Sequence, residues 1–99
     1  MTSVAEAQQT VSTEYNGWSN YETWLINLWL INEEPYYYEM QRILSTFTGV
    51  RDQADALQEF MQQQHEEQEV TGVWSDIISS TLWKVNWHEI AENNREDVR

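Results

Sequence analysis

Ser19-Asn20-Tyr21-Glu22-Thr23-Trp24-Leu25-Ile26-Asn27-Leu28-Trp29-Leu30-Ile31 is the stretch that decides the fold. Ser19, followed three residues on by Glu22, is an S-x-x-E capping box, in which hydroxyl and carboxylate serve backbone amides at a helix start. Trp18, just before the cap, is placed to staple back onto the first turn. From the cap onward Trp24, Leu25, Leu28 and Ile31 make one stripe, and Ile26, Trp29 and Leu30 spread apolar surface round the remaining circumference. A helix apolar on nearly every side belongs in the middle of a bundle. The spacing thus predicts a central helix from Ser19 to about Ile31, with Trp24, Leu28 and Trp29 buried. The run Trp24 to Ile31, at about 1.5 Å per residue, cannot cross a hydrocarbon core of about 30 Å.

The same period continues outward from this helix. A second helix is predicted to start at Pro35, where a missing N–H costs nothing. Glu33 and Glu34 then sit at its positive end. Tyr36, Met40, Ile43, Leu44 and Phe47 form its inner face, and Gly49 stops it. A third helix spans about Arg51 to Gln68, with Ala54, Leu57, Phe60, Met61 and Gln64 inward. A fourth runs from Gly72 to about Lys84, with Val73, Trp74, Ile77, Ile78, Thr81 and Leu82 inward. The fifth has Asn86 as N-cap and Glu89 three residues on, with Trp87, Ile90 and Ala91 as its short apolar face. Pro occurs once and Gly three times, too few to punctuate hairpins. The expected fold is all-α, a compact bundle of about five short helices with a Trp-rich core. Residues 1–15, polar and without an apolar targeting segment, are expected to be a flexible tail, and 16–99 a single helical domain.

Composition narrows the function. Among 99 residues, five Lys plus Arg face 17 Asp plus Glu, a formal net charge of -12. A direct nucleic-acid binder needs clustered cations to release phosphate counterions, and an anionic membrane repels such a chain. With no cysteine, disulfides, thiolate catalysis and Cys-based metal sites are excluded. The default compartment is the cytoplasm.

Two segments carry a resemblance. Asn16-Gly17-Trp18-Ser19-Asn20-Tyr21-Glu22-Thr23-Trp24 resembles the N-G-W-x-N-Y-E-T-W signature of a family of small acidic proteins of phages, plasmids and halophilic archaea. Val85-Asn86-Trp87-His88-Glu89-Ile90-Ala91-Glu92 is similar to the V-N-W-x-E-I-A-E ending of that family, and Asp55-Ala56-Leu57-Gln58-Glu59-Phe60 to its D-A-L-x-E-[FW] helix. The resemblance spans roughly residues 16 to 92. It implies a mobile-element context, with the host cell's cytoplasm as the place of action, and no reaction. The Gln-rich run 62–64 and the triplet Tyr36-Tyr37-Tyr38 depart from the family pattern.

Candidate partner-binding residues follow from charge and exposure. Asp52, Asp55, Glu59 and Glu66, spaced 3, 4 and 7 apart, share one face of the third helix, opposite Leu57 and Phe60. Like charges one turn apart destabilise a helix by a few tenths of a kcal/mol. Such a row either keeps the chain soluble, reflects adaptation to salt, or imitates DNA phosphates in a basic cleft. Glu33 and Glu34 flank the tyrosine triplet, whose rings diverge by about 100° per residue, so Tyr38 is expected outside. Trp83 departs from the fourth helix's stripe, and exposed Trp and Tyr are common anchors of protein interfaces. No H-E-x-x-H, Ser-His-Asp order, phosphate loop or calcium loop appears, and neither His65 nor His88 has ligand spacing. No catalytic residue, cofactor or metal is expected.

The chain is thus expected to be a non-enzymatic acidic binding protein, a monomer or small homo-oligomer. Its partner would be a protein with a basic nucleic-acid-binding surface, such as a restriction or CRISPR effector blocked by a DNA-like carboxylate face. The alternative is a regulatory or assembly protein that docks through exposed aromatics, its acidity serving only solubility.

Overall fold

The described chain reaches its first helix through a left-handed turn. Asn16 and Gly17 have φ of 52° and 90°, conformations that Asn tolerates and Gly adopts freely. The turn lets the Trp18 N–H donate to the Tyr15 carbonyl at 2.8 Å. In the computed structural model, which describes residues 15–95, five helices follow: α1 (Tyr21–Asn32), α2 (Glu34–Thr46), α3 (Val50–Glu67), α4 (Val73–Lys84) and α5 (Trp87–Asn94). No strand is present among the described residues, and none of these helices is long and apolar enough to cross a membrane. The expected N-terminal tail lies outside the described residues, Tyr15 excepted.

Asn20, not Ser19, caps α1. Its side-chain oxygen accepts from the Thr23 amide at 2.8 Å and the Thr23 hydroxyl at 2.6 Å. The predicted Ser19 cap is corrected. The Ser19 hydroxyl instead donates to the Glu89 carboxylate of α5 at 2.7 Å, and the Ser19 N–H adds contacts to the same group. Asn20 already supplies the acceptor that the first turn requires, which frees Ser19 to reach across the molecule.

The central burial of α1 is also corrected. Its buried residues are Thr23, Asn27 and Leu30. Trp29 is 48% exposed, and Trp24 and Leu28 are half-buried. The inward face is the one bearing polar side chains, because those side chains bond to α5 across the interface. The Asn86 N–H donates to the Thr23 hydroxyl, and the Asn94 amide donates to the Asn27 oxygen, both at 2.8 Å. The Asn20 amide donates to the Lys84 carbonyl at 2.8 Å.

Glu33 alone joins α1 to α2, its N–H bonded to the Trp29 carbonyl and its own carbonyl accepting from Tyr37. Met40, Ile43 and Leu44 of α2 are buried, as the spacing predicts, whereas Phe47 lies beyond the helix and is exposed. The last carbonyls of α2 have no helical partners of their own. Gln53 of α3, itself buried, donates to one of them, Leu44, at 3.1 Å, and to the carbonyl of Phe47, just past the helix end, at 2.8 Å. Ala54 and Leu57 complete the buried face of α3.

α4 starts at Gly72, whose φ of 68° and ψ of -144° suit glycine alone. Only Leu82 of this helix is buried. The inward placement of Val73, Trp74 and Ile77 is corrected: they are 62%, 66% and 50% exposed. α4 meets its neighbours through a narrow edge, and no described element covers the rest. α5 follows prediction, with Asn86 accepting from the Glu89 amide at 3.0 Å and Trp87, Ile90 and Ala91 buried. It packs most broadly on α3. The core is aliphatic, built on Leu30, Met40, Ile43, Leu57 and Ile90. Trp87 is the one tryptophan within it, which corrects the expected Trp-rich core.

Adjacent positions on α1 should therefore behave oppositely. Leu30→Ala should cost about 2–5 kcal/mol through lost burial and a cavity. Trp29→Ala should cost about 1 kcal/mol or less. Urea unfolding of the two variants checks the difference, and equal losses would contradict the orientation of α1. By the same measurement, Asn20→Ala should cost about 0.5–2 kcal/mol. Ser19→Ala, which removes a more exposed bond, should cost less.

Candidate protein-interaction surface

The four α3 carboxylates, Asp52, Asp55, Glu59 and Glu66, are all exposed. At about 100° per residue they fall within a narrow arc, on the side of α3 away from Ala54 and Leu57. Among the described residues none of the four forms an ion pair. One is present elsewhere, Arg42 with Glu39 on α2, and on α5 the His88 Nδ1 lies 3.8 Å from the Glu92 carboxylate. Glu33 and Glu34 are exposed at the α1–α2 joint.

The aromatic candidates stand free as well. Tyr38 is 61% exposed, and its ring meets Tyr37 edge-on at 5.8 Å. Tyr36 turns the other way and packs edge-on against Phe60, also at 5.8 Å. Trp83 is 78% exposed. The α3 row lies on the far side of its helix from the apolar groove described next, so the two surfaces are separate.

Sequence reasoning missed that groove. It has a volume of about 300 Å³ and lies where α1, α2, α3 and α4 meet. Ile26, Tyr36, Met61, Ile77 and Leu82 supply its apolar walls. His65 lies at its polar end, with its Nε2 3.3 Å from the Ser75 hydroxyl. Trp29, Val73 and Trp74, all read as inward from the sequence, are exposed and do not line it. The signal that separates the buried face of α1 from its exposed one is the polar pair Thr23 and Asn27. It has meaning only once Asn86 and Asn94 are known to face it. Among the described residues, no three His, Asp or Glu side chains gather as a metal site would require.

These features define a small acidic helical protein whose exposed features are carboxylates and aromatic rings. The chain belongs to the family of unknown function DUF7249, whose pattern matches residues 11–98. No curated protein and no solved structure matches it.

One carboxylate has a distinctive acidity. The hydrogen bond from Arg42 holds Glu39 below the usual carboxylate range; desolvation opposes this and the positive charge of Arg42 adds to it. A depressed value contributes stability at neutral pH that disappears as pH falls through the folded value. Arg42→Gln should move the Glu39 titration upward, measured by NMR of the side-chain carboxyl. An unchanged midpoint would show that the pair does not persist in solution.

Proposed function

We propose that this chain is a non-enzymatic docking protein that engages another protein through exposed aromatic side chains. The observation that carries the reading is Trp83, 78% exposed on a helix whose neighbours leave it uncovered. Tyr38, 61% exposed beside Glu33 and Glu34, is a second anchor. A tryptophan buries roughly 150–250 Å² when covered, so leaving it in water is costly unless a partner completes the contact. The resemblance of residues 16–24 and 85–92 to segments of phage and plasmid proteins supports a mobile-element setting for this activity, in the cytoplasm of a host cell.

The carboxylate row supports a second reading, inhibition of a restriction or CRISPR effector by occupying its DNA cleft. Magnitude favours the first. Asp52 to Glu66 runs roughly 21 Å at about 1.5 Å per residue. One DNA strand presents about six phosphates over that distance, at about 3.4 Å each. Four carboxylates on one helix make a sparser charge than the strand they would replace. They suit long-range steering toward a basic protein better than full occupation of its cleft.

The test sets the two surfaces against each other on an identified partner, captured from host lysate and then purified. Trp83→Ala should abolish or greatly weaken binding. The quadruple variant with Asn or Gln at 52, 55, 59 and 66 should slow association several-fold and leave dissociation unchanged. If the quadruple variant abolishes binding, and moderate salt does the same to the unmodified protein while Trp83→Ala has no effect, cleft occupation replaces docking.

A further inference from the structure

The outer face of α4 has a different chemistry from the rest of the chain. Asp76 and Lys84 are its only charged residues, and they cancel, so the whole formal charge of -12 resides outside this helix. Val73, Ile77, Ser80 and Lys84 are spaced 4, 3 and 4 apart and line one exposed stripe, with Trp74 at its edge. Lys84 is the chain's single lysine. Among the described residues it forms no ion pair, and neither does Asp76.

We infer that this face is where two copies of the chain pair, antiparallel and crossing near Ser80. The charge pattern selects the occupant. Asp76 stands near the start of α4 and Lys84 at its end, eight residues or about 12 Å apart. Antiparallel apposition sets Lys84 of each copy beside Asp76 of the other, forming two equivalent ion pairs, as a two-fold interface requires. Val73, Trp74 and Ile77 supply apolar contact along the same face, and Ser80 at the crossing lets the helices approach closely. Two copies of so acidic a chain repel each other everywhere else. The neutral helix is the side on which they meet, with the α3 carboxylates left outside. This inference goes beyond the docking function and does not depend on it.

The area sets the strength. A tryptophan covers roughly 150–250 Å², and the smaller side chains of an 18 Å helix face bring the total to roughly 500 Å² per copy. A standard stable interface takes about 800 Å² per partner, so the dimer is weak and exchanges readily.

Sedimentation equilibrium of the full chain at about 0.15 M salt tests this, since screening over about 8 Å there mutes distant repulsion and spares contact pairs. Between about 1 µM and about 1 mM, the range in which so small an interface dissociates, the mass should rise from 11.9 kDa toward twice that value. Lys84→Asp and Asp76→Lys should each weaken self-association by about tenfold or more. Mixing those two variants should restore dimers, because each then supplies the charges the other lacks. All the substituted positions are exposed, and circular dichroism verifies that folding is retained. A mass fixed at 11.9 kDa, single variants that associate as the unmodified chain does, or a mixture that stays monomeric would each overturn the proposal.

Discussion

The structure depends on a set of polar bonds that join the two ends of the described chain. Ser19 to Glu89, Asn20 to the Lys84 carbonyl, Thr23 to the Asn86 amide and Asn27 to Asn94 connect residues 63 to 70 positions apart. α5 has eight residues, too few to persist as a helix unaided. Its own cap and these bonds hold it where Trp87, Ile90 and Ala91 can bury against α3. The arrangement also accounts for Thr23 being fully buried and Asn27 nearly so. A buried hydroxyl or amide left unpaired costs on the order of 1–3 kcal/mol, and here the cross-chain partners remove that cost. The segments that resemble the family signatures are the same ones that interlock. Asn20, Thr23, Asn86 and Glu89 are committed to closing the fold, so those motifs identify an architecture and leave the contact surface to other residues.

How much of this was legible in the sequence varies with the physics involved. Helix number and order were readable because Pro35, Gly49, Gly72 and Asn86 mark boundaries by purely local chemistry. The Asn86 cap and most of the buried faces of α2, α3 and α5 were readable for the same reason; the exceptions are Phe47, which lies past the end of α2, and Gln53, buried because its amide serves carbonyls at that end. α1 was not, because apolar residues occupy its whole circumference and periodicity is silent about which side is covered. The Ser19 cap failed because Ser19 and Asn20 are both good capping residues. Only the distant Glu89 decides which of them is free for other work.

The candidate surface divides along similar lines. The carboxylate row could be placed from spacing alone, since charges stay in water whatever packs beneath. Tyr38 could be placed because three successive rings cannot share one face. Val73, Trp74 and Ile77 were misplaced because apolar residues at helical spacing normally indicate a core. That rule assumes enough surrounding helix to cover them, and five short helices do not supply it. α4 therefore keeps an apolar side that its own chain leaves open.

The closure between the chain ends also bears on the order in which the protein is made. During synthesis α1 emerges before α5, with Trp24, Leu25 and Leu28 around it and the acceptors Thr23 and Asn27 unfilled. Their partners lie on α5, near the far end of the described chain. Local helices form within about a microsecond, but contacts this remote in sequence must wait for the rest of the chain and for closure of a long loop. Loop entropy grows only slowly with length, so the delay is one of sequence order more than of thermodynamic cost. Until α5 arrives the polar face of α1, Thr23 and Asn27, lacks the partners that bury it. The chain's formal net charge is -12, and such half-made chains repel one another.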